Sequence, residues 1–134
     1  MTGETNLQTL LKNMTPSLQA GQYVYCVTDD VHGIGLEEIV GFFREKEGVT
    51  VIVSKETADR LGLEYSYVAA WITLTVHSSL EATGLTAAFA TALAEAGISC
   101  NVVAAYFHDH IFVARSDGER ALRVLEDLSR GASR

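Results

Sequence analysis

The order of patterns in residues 71–114 constrains the fold more than any other feature, because a strand, a loop, a helix and a hairpin follow one another there. Residues 67–77 alternate apolar and polar positions with a period of two, as a half-buried strand does. Residues 84–97 carry apolar side chains at helical spacing and end at a glycine, a common helix cap. Residues 98–106 and 110–114 then predict a hairpin. This order predicts most of a ferredoxin-like module.

The first half of the chain repeats this order loosely. It predicts a short helix at residues 7–11, strands at residues 22–28, 39–45 and 49–54, and a compact helix at residues 55–61. Thr15 and Pro16 predict the opening of a further helical turn, because proline fits the first turn of a helix. The two halves share an order of strand, crossover, hairpin and helix. This is a weak internal repeat with a boundary near residues 65–70.

Composition and charge exclude several classes of protein. The chain is 48% hydrophobic and 20% charged, which is typical of a globular domain and not of a disordered one. It contains no apolar stretch of the roughly 18 to 20 residues that a membrane helix needs, and its opening residues lack the pattern of a signal peptide. We therefore expect a cytoplasmic protein. The net charge of −7 and the dispersed basic residues argue against nucleic acid as a partner.

The helix predicted at residues 84–97 is unusual because it carries a single charged residue, Glu95. A surface helix normally shows Lys and Glu on its solvent face. Here that face consists of small residues, which allow another backbone to approach closely. We expect this helix to be covered on two sides, by its own sheet and by a neighbouring module or subunit. The small residues are Thr86, Ala87, Ala90, Thr91 and Ala94.

The loop at residues 78–84, which leads into this helix, is the best candidate binding site. A helix N-terminus offers unpaired backbone N–H groups and a partial positive charge, both of which suit a carboxylate. Glu81 is suited to an ammonium group, so a free amino acid finds complementary partners at both of its ends. The alternative is that Ser79 or Thr83 caps the helix and Gly84 only permits the turn. The loop residues in question are Ser78, Ser79, Glu81, Thr83, Gly84 and Leu85.

The predicted hairpin at residues 106–110 is the second polar cluster. A regular strand places His108 and His110 on one side and Asp109 on the other. A metal site needs a further anchored ligand and supporting hydrogen bonds, and neither is evident in the sequence. We therefore predict no metal and no cofactor. A turn with one capping aspartate is the alternative interpretation of this segment.

The sequence resembles the ACT domain, a small-molecule-sensing regulatory module. The resemblance rests on Thr83-Gly84-Leu85 before the helix and on residues 94–98, whose sequence AEAGI closes the helix into the next strand. It is closest to short bacterial tandem-ACT proteins, through TLTVHSSLEA, GLTAAFA and the Tyr-x-His-Asp-His-Ile-Phe-Val hairpin. These are residues 73–82, 84–90 and 106–113. Residues 1–66 resemble the family more loosely.

The resemblance implies an α+β fold of two tandem ferredoxin-like modules of the βαββαβ type with antiparallel sheets, at residues 1–66 and 67–134. It implies a non-catalytic, allosteric module that binds an amino acid and forms a homodimer, with a further protein partner whose association the ligand alters. Family ligands commonly lie at the loop before the helix and at facing strands, which adds Asn101 and Tyr106 to the loop residues. A similar hairpin borders the ligand in the arginine sensors of the TOR pathway, which adds Asp109.

Two other functions stay open on the sequence alone. An adaptor that uses the alanine-rich helix only for oligomerisation has the same sequence pattern. A small enzyme that uses His108, Asp109 and His110 is a further alternative, although no nucleophile or metal framework accompanies these residues. The sequence names neither the ligand nor the pathway.

Overall fold

A single antiparallel sheet runs through the part of the protein that the computed structural model describes, which is residues 6–76 and 84–132. Its elements, in chain order, are α1 (Leu7–Asn13), β1 (Thr15–Leu18), β2 (Tyr23–Thr28), β3 (Ile39–Arg44), β4 (Val49–Ser54), α2 (Lys55–Leu61), β5 (Val68–Thr75), α3 (Leu85–Glu95), β6 (Cys100–Ala104), β7 (His108–Ala114) and α4 (Gly118–Ala132).

Strand β5 is the centre of the sheet, whose order is β3-β4-β2-β5-β7-β6. Strand β7 pairs along one edge of β5, from Ala69 opposite Ala114 to Thr75 opposite His108. The other edge of β5 is divided, because β2 pairs with its first two residues and β1 pairs with its last four. The two halves of the chain are therefore joined in one hydrogen-bonded sheet.

The segment Thr15–Leu18 is strand β1, so the predicted helical turn at Thr15 and Pro16 is wrong. Pro16 lies opposite Leu74 of β5. Among residues 6–76 and 84–132, β1 pairs only with β5, and proline is tolerated in such an edge strand because its missing N–H is not needed there. The residue before a proline also favours extended backbone. Pairing with β5 therefore prevailed over the local helix signal.

Short-range signals set several of the other helix ends. Ser54 accepts a hydrogen bond from the Thr57 backbone N–H at 3.0 Å and begins α2. Gly62 ends α2 in the left-handed conformation, with φ of 70°. Helix α1 begins in the same way, with the Asn6 side chain accepting from the Thr9 N–H at 3.1 Å. These elements agree with the sequence prediction.

Two apolar cores lie on the helix-covered face of the sheet. The larger core contains residues from α1, α3, α4, β5 and β7, among them Leu10, Phe89 and Leu125. The smaller core lies under α2, around Val24, Val51 and Ala58. Because α1 packs with the second half of the chain, the larger core crosses the predicted division at residues 66 and 67. The boundary between the two modules, at residues 66 and 67, therefore stays a prediction from the internal repeat of the sequence.

Helix α3 packs one stripe into the larger core and leaves the opposite stripe open. Leu85, Phe89 and Leu93 are buried. The small residues Thr86, Ala87, Thr91 and Ala94 are exposed. No helix among the described residues is long and apolar enough to cross a membrane.

Candidate functional site

The predicted site begins at the N-terminus of α3. Ser78, Ser79, Glu81 and Thr83 lie outside the described residues. Gly84 precedes the helix with φ of 92°, a left-handed conformation that favours glycine. A Cβ at this position would stand 3.3 Å from the Leu7 side chain. Leu85 is 4% exposed and packs in the larger core, so its side chain is not available to a ligand and only its backbone can take part.

Asp109 is a buried carboxylate on the helix-covered face of the sheet. It lies opposite Leu74 of β5 and Ala104 of β6. Its residue is 8% exposed, and burial raises the pKa of its carboxyl group above the ordinary 3.8. Among residues 6–76 and 84–132, no group donates a hydrogen bond to this carboxylate. An ionised carboxylate in such surroundings is costly without a cationic or hydrogen-bonding partner.

Asp109 and the N-terminus of α3 belong to the same end of the sheet. Leu74 is the penultimate residue of β5, and the chain leaves β5 there to reach Gly84 and α3. Leu74, Val76 and Leu85 pack in one core. The structure therefore places a buried carboxylate at the same end of the sheet as the start of α3, two features that the sequence analysis selected separately.

Asn101 does not join this group. It lies opposite Phe112 on β7, three positions along the ladder from the Ala104 and Asp109 pair, and its side chain is on the other face of the sheet. It is exposed near the sheet edge formed by β6. The prediction that Asn101 and Asp109 face one ligand is not met within a single chain, because strand alternation separates them.

Tyr106 lies at the tip of the β6–β7 hairpin. It is 81% exposed, and its ring meets the ring of Phe107 edge to face at 4.9 Å. Phe107 is 74% exposed. Two large aromatic side chains therefore stand at the same end of the sheet as Asp109, and the rest of the described chain leaves them open to solvent.

His108 and His110 lie on the open face of the sheet, with Asp109 on the opposite face, as strand alternation predicts. The Trp71 Nε1–H donates to His110 Nδ1 at 3.0 Å. Because an indole nitrogen only donates, Nδ1 must accept, and the neutral His110 ring carries its proton on Nε2. Burial, and secondarily the neighbouring His108, lower the pKa of His110 from 6.5. His110 is therefore held neutral by its surroundings.

This tautomer opposes metal binding at His110. Coordination through Nε2 would move the ring proton to Nδ1, where the Trp71 N–H already points. No three His, Cys, Asp or Glu side chains converge on a metal-sized position within the described ranges. Asp109 cannot assist His110 as an acid-base partner either, because the sheet lies between their side chains.

The open face of the sheet carries a polar and aromatic network that sequence reasoning missed. Gln19 Nε2 donates to Thr73 Oγ1 at 3.1 Å, and Thr73 Oγ1 lies 3.5 Å from His110 Nδ1. A third apolar cluster surrounds Trp71, and none of the described helices contributes to it. The period-two pattern of residues 71–77 was the available signal. The aromatic members of this cluster are Tyr23, Tyr25, Tyr67, Trp71 and Phe112.

Tyr25 shows how closely this cluster packs. Its hydroxyl oxygen is buried and makes no hydrogen bond within the described chain. Burial, together with the neighbouring Tyr67, raises the pKa of Tyr25 to about 12. Its ring meets Phe112 edge to face at 5.7 Å.

Comparison with known families covers almost the whole chain. Residues 2–70 match one sequence model of the ACT domain, and residues 66–127 match another. The chain therefore belongs to the ACT-domain family and contains two ACT domains in tandem. The predicted family and the predicted tandem ferredoxin-like fold are confirmed.

Solved structures extend this comparison. A Vibrio cholerae protein of unknown function, described as a possible transport protein, is 48% identical, with 92% of this chain and 95% of that chain covered and a TM-score of 0.82. The ligand-free regulatory subunit of aspartate kinase from Thermus thermophilus is 12% identical, with 84% and 95% covered and a TM-score of 0.58.

Aspartate kinase from Clostridium acetobutylicum is 9% identical, with 86% of this chain and 34% of that chain covered and a TM-score of 0.59. At such identities the two kinase structures show a shared fold. No curated protein matches the chain. ACT domains commonly act as regulatory ligand-binding modules and are generally non-catalytic.

Proposed function

We propose that this protein is a non-catalytic regulatory module that binds a free amino acid where α3 begins. The buried carboxylate of Asp109 is the observation that carries this proposal. Its pKa is raised by burial, so ionisation at neutral pH is costly in the empty site. A ligand that brings an ammonium group to Asp109 offsets that cost. The fold shared with aspartate kinase regulatory subunits supports a regulatory ligand-binding role.

The α-carboxylate of an amino acid is complementary to the N-terminus of α3. Helix α3 has 11 residues, and its N-cap is Gly84, which has no side chain to accept from the first backbone N–H groups. In the proposal they receive the α-carboxylate of the ligand. Ser78, Ser79 and Thr83 add hydroxyl groups, Glu81 gives a second acidic partner, and Tyr106 covers the site from the hairpin tip.

The proposal includes a homodimer whose association the ligand alters. The exposed stripe of α3 consists of small residues that suit a closely approaching second helix, as the sequence predicts. Strand β6 is an edge strand, and Asn101 lies on it, so Asn101 is proposed to act across the dimer rather than beside Asp109.

Both cysteines, Cys26 and Cys100, are free thiols, which is in keeping with a reducing, cytoplasmic location.

Thermal unfolding against the twenty common amino acids tests the proposal. A ligand that binds only the native state adds RT ln(1 + [L]/Kd), or about 2.7 kcal/mol at roughly 100 times Kd. We expect one amino acid or a closely related group to raise Tm by several degrees, and Asp109→Ala to abolish that rise. The matched control is Asp29→Ala, which removes an exposed carboxylate far from the sheet end. A rise that persists in Asp109→Ala contradicts the site.

An adaptor without a ligand is the second candidate, and the exposed pair Tyr106 and Phe107 favours it. In that case no amino acid changes Tm, and Tm depends on protein concentration through oligomerisation alone. Tyr106→Ser combined with Phe107→Ser then weakens association. The enzyme alternative requires that His108→Ala and His110→Ala abolish an activity, and the placement of His110 and Asp109 on opposite faces disfavours it.

A further inference from the structure

A cleft of about 510 Å³ lies at the other end of β5, away from Asp109. It opens between the connection that joins β1 to β2 and the chain that leads from β7 into α4. Its lining includes the apolar residues Leu18 and Ala70 and, beside them, Gln19, Gln22, Arg115 and Gly118. The cleft therefore lies where the N-terminal segment crosses from one half of the sheet to the other.

Among the described residues that line this cleft, Arg115 is the only one with a cationic side chain. Its Nη1 donates to the Gln22 side-chain oxygen at 3.3 Å, and no carboxylate of the described residues stands within ion-pair distance. By contrast, Arg60, Arg120 and Arg130 each pair with an acidic side chain. In a chain of net charge −7, this guanidinium is held by a neutral amide and stays available to an anion.

Helix α4 and β5 are in close contact at one side of the cleft, near Arg115. Helix α4 approaches β5 so closely that a Cβ at Gly118 would stand 2.9 Å from the Ala70 Cβ. Gly118 is buried at this contact, so a larger residue there would force α4 away from β5. The amide groups of Gln19 and Gln22 border the cleft from the β1–β2 connection.

We propose that this cleft is a second binding site, which takes the carboxylate or phosphate group of a small molecule on Arg115. A planar guanidinium forms two parallel hydrogen bonds with either group, and the exchange of a neutral amide acceptor for an anion strengthens them. Glu119 stands in the same lining, so a ligand of single negative charge or a zwitterion is favoured over a dianion.

Occupation of this site ties together two parts of the chain that are distant in sequence. Gln22 precedes β2, whose inward side chains pack in the smaller core, whereas Arg115 precedes α4, which packs in the larger core. An anion held between Arg115 and the β1–β2 connection restrains the junction of the two halves. A ligand here therefore changes how firmly the halves are coupled, independently of the Asp109 site.

Titration with propionate and with inorganic phosphate tests the proposal, with the backbone amide resonances of Gly21, Gln22 and Ser116 as the readout. Ionic strength is kept constant with sodium chloride, so that a change in electrostatic screening does not cause the shifts. We expect saturable shifts of these amides with at least one of the two anions. Saturation by propionate alone identifies a carboxylate site, and saturation by phosphate alone identifies a phosphate site.

Variants then assign the binding to the cleft. Arg115→Ala is expected to weaken binding by at least about tenfold, because both charge-assisted hydrogen bonds to the anion are lost. Gln22→Glu gives Arg115 an internal carboxylate and is expected to abolish binding without removing any cation. Arg123→Ala removes an exposed arginine of α4 that lies outside this cleft, so this control should bind as the original protein does.

Shifts that fail to saturate with either anion overturn the proposal. The proposal is also overturned if Arg115→Ala binds the anion as tightly as the original protein, or if Arg123→Ala loses as much affinity as Arg115→Ala. Binding would then depend on net charge and not on this cleft. Loss of binding in Gln22→Glu together with a cooperative unfolding transition like that of the original protein supports it.

Discussion

His108, Asp109 and His110 are consecutive in the chain but belong to two different environments. Asp109 lies beneath the helices, where burial raises the pKa of its carboxyl group. His110 lies on the open face, where Trp71 donates to its ring and burial lowers its pKa. Burial disfavours the anionic form of Asp109 and the cationic form of His110, so both groups are shifted toward their neutral forms. Strand alternation, and not proximity in sequence, therefore decides which polar groups can act together.

The two faces of β5 differ in the same way. Ile72 and Leu74 are fully buried in the larger core under the helices. Trp71 and Thr73 point to the open face, where they form the network with His110. The covered face therefore contributes most of the apolar stabilisation, and the open face contributes a hydrogen-bonded aromatic surface.

Truncation of the covered face should have the largest effect. Leu74→Ala removes a fully buried side chain and is expected to lower the free energy of unfolding by about 2 to 5 kcal/mol. Thr75→Ala, its exposed neighbour on the open face, should change it by less than about 0.5 kcal/mol. Urea denaturation of both variants measures the difference. An equal loss of unfolding free energy in the two variants would contradict the difference in packing between the two faces.

Asp109→Asn should stabilise the ligand-free protein at neutral pH by roughly 1 kcal/mol, because it removes a poorly solvated charge. The pKa of Asp109 is raised in the folded state, so the unfolded chain ionises first as pH rises. Its contribution to stability is fully present below pH 3.8 and is lost as pH rises through the folded-state pKa. The Asn variant should lack this slope in urea denaturation at a series of pH values. A variant less stable than the original at neutral pH contradicts the interpretation.

His110 should show the opposite slope. Its pKa is lowered in the folded state, so its contribution is present above pH 6.5 and is lost as pH falls through the folded-state pKa. Trp71→Phe removes the donor to Nδ1, which should raise the pKa of His110 and cost about 1 kcal/mol of stability. NMR titration of the His110 ring measures the first effect.

Tyr23→Phe is the matched control for this titration. Its ring touches Trp71 at 5.1 Å, but its hydroxyl donates to the Ala20 carbonyl and not to His110. The His110 titration should therefore be unchanged in Tyr23→Phe. A change of equal size in both variants would assign the effect to packing of the aromatic cluster.

Tyr106→Ser should have the smallest effect on folding, within about 0.5 kcal/mol, because the side chain is 81% exposed. Its measurable effect should lie in ligand affinity or association, where the hairpin tip is proposed to act. Denaturation and sedimentation of the same sample separate the two. A large loss of stability would show that the tip packs against a part of the chain outside the described residues.

Most helices and strands could be predicted from the sequence, because period-two and helical patterns and the caps at Ser54 and Gly62 are local signals. The error at Thr15 and Pro16 arose because β1 is held by β5, which is distant in sequence. The alternation of His108, Asp109 and His110 was predicted correctly. The separation of Asn101 from Asp109 was not, since it depends on the register of β6 against β7.

The sequence by itself determined the family, most of the order of elements and the alternating faces of β5 and β7, since these depend on residues close together in the chain. Only the tertiary structure decided that α1 packs with the second half, that Trp71 fixes the His110 tautomer, and that Arg115 meets Gln22 beside a cleft. Each of these contacts joins residues far apart in sequence. Pairing register and helix packing set them, and no local pattern encodes either.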